Sequence, residues 1–179
     1  MLDVFLNRLF RRHGAGHRPA QPSRAERGVP VAAAAFAYRP ALIEELEREH
    51  RALQGMFAAL HRAHRVGDVT ACIANLQLFT NLLRAHLLKE NLQLYRYLEH
   101  AHRRDRAAAQ RLAALRTEMQ AIGSTLSTFA SAYVNASWDE RRRRQLGRDL
   151  DGIGRILAQR IATEEHVLYP LYLPPQDQR

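Results

Sequence analysis

The chain repeats itself, and that repeat restricts its fold more than any other feature. HLLKENLQLY (His86 to Tyr95) and RIATEEHVLY (Arg160 to Tyr169) align on a shared Leu-Tyr, so that Glu90 meets Glu164, Leu94 meets Leu168 and His86 meets Arg160. An earlier pair, LEREHRAL (Leu46 to Leu53) and LRTEMQAI (Leu115 to Ile122), sets Glu49 against Glu118, His50 against Met119 and Leu53 against Ile122. Residues four apart share one face of a helix. His86 and Glu90 therefore share a face with Leu83, Leu94 and Tyr97, and two polar groups point where a core is expected. The chain reads as two copies of a helix pair. The first copy offers His50 on its first helix and His86 and Glu90 on its second, and the second copy offers Met119, then Arg160 and Glu164, at the same places.

Apolar stripes at helical spacing extend this pattern to four long helices. The first runs from about Pro40 to Gly67 with Ile43, Leu46, His50, Leu53, Phe57 and Leu60 inward. The second, capped by Asp68, runs to about His102, and the third begins after Asp105. Ser137, with Glu140 three residues on, reads as a capping box that starts the fourth helix, which ends at Pro170. His50 lies 18 residues before Asp68 and His86 18 after it, which puts the two at one height. Short connections predict an all-α fold, an antiparallel up-down-up-down four-helix bundle over residues 40–173. Ahead of it stand an amphipathic segment and linker, 1–39, and behind it a tail, 174–179.

In residues 1–12, Leu2, Phe5, Leu6 and Leu9 share one face, with Arg8 and Arg11 elsewhere. A short basic amphipathic helix suits an anionic membrane surface or a groove on a protein partner. Pro19, Pro22 and Pro30 mark the linker. The formal charge is +9, and residues 1–39 supply five of those charges, so basicity is partly a property of the tail. Specific nucleic-acid binding is therefore not expected. The dense run Arg141–Arg144, at the same end as Arg62 and Arg65, is a candidate patch for an acidic partner. Cys72 is the only cysteine, so no internal disulfide forms. No run approaches the roughly 20 apolar residues of a membrane span. Asp3 and the short apolar stretch make a poor signal peptide. The expected location is the cytoplasm, with peripheral attachment at the inner membrane surface through residues 1–12.

The predicted bundle gathers His50, His86, Glu90, Met119, Arg160 and Glu164 at its midplane. Histidines and carboxylates facing each other in a bundle core suit iron or manganese. In this layout the chain, over residues 40–172, resembles the hemerythrin-like family, the HHE cation-binding domains. That family is a four-helix bundle with a His on the first helix, HxxxE on the second, a His on the third and HxxxE on the fourth. The resemblance implies metal ligation by His50, His86, Glu90 and Glu164, with Glu165 as a substitute for Glu164 if the helix rotates. Met119 and Arg160 stand where the family has histidines, so the expected load is one iron or none rather than a full di-iron centre. The resemblance further implies a non-enzymatic metal protein in oxygen or redox sensing or iron handling. The alternative is a metal-free regulatory module that binds another protein, with Arg160 paired to Glu164 and Glu90. Tyr95 and Tyr169 are read as packing, and His61 and His64 as exposed.

Overall fold

A computed structural model describes residues 37–175. The amphipathic stretch 1–12, most of the linker and residues 176–179 lie outside the described residues. Among those described, the chain is entirely helical and contains no strand, consistent with a helical bundle. The first helix is α1, Leu42–Val66. Then α2, Val69–Lys89, passes without a break through a π-helical turn, Glu90–Tyr95, into α3, Arg96–Ala101. Next come α4, Arg106–Val134, and α5, Glu140–Thr163. A second π-helical turn, Glu164–Leu168, and a 3-10 turn, Tyr169–Leu171, close the chain.

Local chemistry sets the boundaries. Glu44 and Glu45 lie in the first turn of α1, and His64 and Arg65 in its last, each favourable to the helix dipole. Gly67 stops α1 in the left-handed region, φ 75°, where a side chain is strained. The Asp68 side chain accepts from the Ala71 N–H at 2.9 Å, and Asp105 caps α4 through Ala107 and Ala108. The fourth long helix starts two residues later than its expected Ser137 cap. Trp138 turns its ring toward Tyr133, 6.0 Å between centroids, so the chain is still rounding the corner there. Asp139, in extended conformation, becomes the cap and accepts from Arg142 N–H at 2.7 Å. Glu140 pairs with Arg143 and Arg144 instead of closing a capping box.

The apolar stripes meet in two clusters. One holds Leu53, Leu60, Phe79, Leu126, Phe129 and Leu150, and the other Leu42, Leu46, Leu94, Leu98, Leu112 and Leu168. Each buried leucine or phenylalanine contributes roughly 1.5–3 kcal/mol relative to exposure. Between the clusters lies a buried polar layer. His61 and His64 are half-buried rather than exposed, and His64 Nε2 meets the Arg143 carbonyl at 2.9 Å, tying the end of α1 to the start of α5. At the opposite end, Tyr38, Tyr97 and Tyr172 pack together with centroids 4.7–5.8 Å apart. There Arg39 N–H donates to the Tyr172 hydroxyl at 2.9 Å.

Candidate metal centre

His50 from α1, His86 from α2 and Glu90 and Glu164 from the two π-helical turns converge in the polar layer. One ligand atom from each lies within 4.8 Å of all the others, and all four residues are buried. The π-helical turns fall at equivalent places in the internal repeat, each opening on its glutamate. A π-turn inserts one residue into the α-helical ladder and is frequent at functional sites. The helical spacing gave no sign of it.

Both imidazoles are oriented the same way. His50 Nδ1 lies 2.8 Å from Glu165 Oε1, and His86 Nδ1 lies 2.9 Å from Glu49 Oε2. Each ring therefore turns Nε2 inward. His50 Nε2 is 3.1 Å from Glu164 Oε2, and His86 Nε2 is 3.9 Å from Glu90 Oε1. The ring centroids are 4.8 Å apart. Glu165, foreseen as a stand-in for Glu164, thus sits behind His50 instead. Glu49 was not singled out, although its alignment with Glu118 and its place beside His50 were visible. Lys89 bonds to Glu49 in turn.

The repeat continues in these partners. Just as Glu49 reaches His86, its counterpart Glu118 reaches Arg160, the counterpart of His86, at 3.9 Å. Arg160 donates through Nε to Glu164 Oε1 and through Nη2 to the Tyr95 hydroxyl at 2.7 Å. It does not bond to Glu90, contrary to the expected double pairing. Glu90 Oε1 accepts from the Tyr169 hydroxyl at 3.2 Å instead, and that hydroxyl also lies 3.3 Å from His50 Nε2. Tyr95 and Tyr169 therefore do more than pack. Their recurrence beside each glutamate was the available signal. Met119 is buried with no polar role.

Burial, and then the charge of Glu164, hold the Glu90 carboxyl well above the usual range. Burial alone would also raise Glu164, but the hydrogen bond from His50 and the charge of Arg160 hold it below. Burial works against a charged His50, yet Glu164 and Glu165 raise its pKa, whereas burial lowers that of His86. Arg160 stays cationic because Glu164 and Tyr95 outweigh the cost of burial.

The same residues fit one metal ion. Two Nε2 atoms and two carboxylates form a donor set suited to iron, manganese or zinc. Glu90 Oε2 is buried and has no hydrogen-bond partner, a vacancy that a cation satisfies. The carboxylates behind both imidazoles match the outer shell of metal-bound histidine. In the other half of the repeat a guanidinium, Arg160, and a thioether, Met119, stand at the positions equivalent to His86 and His50.

A family model described as the hemerythrin HHE cation-binding domain matches residues 41–172. No curated protein and no solved structure shows significant similarity to the chain.

Proposed function

The chain belongs to the hemerythrin HHE cation-binding family, and from that premise we propose that it holds a single iron through His50, His86, Glu90 and Glu164. The reading rests above all on the two carboxylate-backed imidazoles with Nε2 turned toward Glu90 and Glu164. Bound iron supplies a redox couple and positions open to a small ligand. The protein's own groups do the rest. Glu49 and Glu165 fix the ring tautomers, Tyr169 orients Glu90, and Arg160 neutralises the half that takes no ion. The role that follows is non-enzymatic, in oxygen or redox sensing or iron handling, in a cytoplasmic up-down-up-down bundle. Residues 1–12 supply contact with a protein partner or the inner membrane surface, and Arg141–Arg144 a patch for an acidic partner.

Metal analysis of protein purified without chelator tests this. The expected content is one iron per chain, lost when His86→Ala removes one imidazole. Two irons per chain would mean that Arg160 does not take a metal's place. No bound metal after anaerobic iron loading favours the second reading, a metal-free regulatory module. That alternative is supported by the buried Arg160–Glu164 pair, in which a guanidinium already stands against one of the carboxylates.

A further inference from the structure

A cavity of about 540 Å³ lies between α1 and α5, within the roughly 300–1,000 Å³ typical of small-ligand sites. Its walls are apolar: Leu53, Phe57, Phe79, Leu83, Ile122 and Leu157. Its inner end is floored by the polar layer itself, His50, His86, Arg160 and Glu164, with Met119 as the one apolar member among them. At the outer end Arg62 and Arg65 line the wall, and both are exposed. Neither forms an ion pair or hydrogen bond with any described residue. Asp151 acts electrostatically on the neighbouring His61 and forms no ion pair with either arginine.

The shape narrows the choice of occupant. His50 and Arg65 stand 15 positions apart on one helix, a rise of roughly 22 Å at 1.5 Å per residue. A volume of about 540 Å³ along that line suits an elongated occupant, such as one unbranched alkyl chain. The rim is built from small residues, Ala58, Gly154 and Ala158. A side chain at Gly154 would come within 3.0 Å of the Phe57 ring, so glycine there keeps ring and opening together.

We infer that this cavity binds a free single-chain carboxylate, a fatty acid, with its alkyl tail between α1 and α5 and its head group on Arg62 and Arg65. The tail satisfies the apolar wall and the head group satisfies two cations that otherwise face only water. The inference does not require the metal reading, since the apolar wall and the two arginines are the same with or without an ion at the floor.

The test titrates the full chain, metal-stripped and iron-loaded, with saturated acids from octanoate to hexadecanoate and with the matched alcohols, below micelle formation. Saturable one-to-one binding is expected in both metal states. It should tighten roughly fourfold per methylene until the tail meets the floor, with alcohols at least tenfold weaker. Arg62→Glu with Arg65→Glu should reduce the acids to the level of the alcohols. Ala158→Trp should block both while leaving helicity unchanged, and Ala58→Trp replaces it if that variant fails to fold. The inference is overturned if no chain length saturates, if the double charge reversal leaves the acid-to-alcohol ratio unchanged, or if the protein adsorbs to phosphatidylglycerol vesicles but binds no free acid.

Discussion

Glu49 and Glu165 divide the carboxylates of the polar layer into those that face the cavity of the donors and those that stand behind the imidazoles. Removing a backing carboxylate around a metal-bound histidine typically costs 10–100-fold in metal affinity. Glu49→Gln and Glu165→Gln should each weaken iron binding by about that factor in competition with a chelator. Glu118→Gln, at the equivalent place in the other half, should leave it unchanged. Arg160 offers a second measurement. Breaking a buried ion pair by deleting one partner costs roughly 3–5 kcal/mol, and Glu164 is 2% exposed. Arg160→Ala should destabilise the metal-free protein by about that amount in urea melts, and iron should restore part of the loss by replacing the missing cation. The four candidate donors were readable in the sequence because buried polar residues interrupt otherwise apolar stripes. Their supporting partners were harder to read. Glu49 and Glu165 lie off the stripe, and only the three-dimensional crossing of helices shows that their oxygens reach the far nitrogen of each ring.

At the level of the element, capping chemistry placed α2 and α4 correctly, through Asp68 and Asp105, but misplaced the start of α5. A serine followed three residues later by glutamate satisfies the capping-box pattern. That pattern takes no account of Trp138, whose packing on Tyr133 holds the chain in its turn for two further residues. Asp139→Ala should therefore cost about 1 kcal/mol, within the usual 0.5–2 for a lost cap, lowering Tm by about 3 °C. Ser137→Ala should fall within about 0.5 kcal/mol of wild type. The π-helical turns were invisible for a related reason. Stripes read at 3.6 residues per turn absorb one extra residue as a slight drift, and nothing in the residue types at Glu90–Tyr95 marks the insertion.

For the whole molecule, the helical class was legible in the length and spacing of the apolar stripes. In the sequence every inward stripe begins after Pro40. A chain lacking residues 1–38 should keep its helicity and cooperative melting while losing affinity for anionic vesicles or a protein partner, and a truncated chain that does not fold would place that segment in the core. No described helix is long and apolar enough to cross a membrane, so vesicle binding is the appropriate assay. The tyrosine clasp also ties the two ends of the described chain together. Tyr172 holds Arg39, and three residues earlier Tyr169 holds Glu90 and His50. The 3-10 turn Tyr169–Leu171, with Tyr172 as its C-cap, joins the two grips. A pull on Arg39 would therefore have only one short turn of backbone between it and the innermost polar groups.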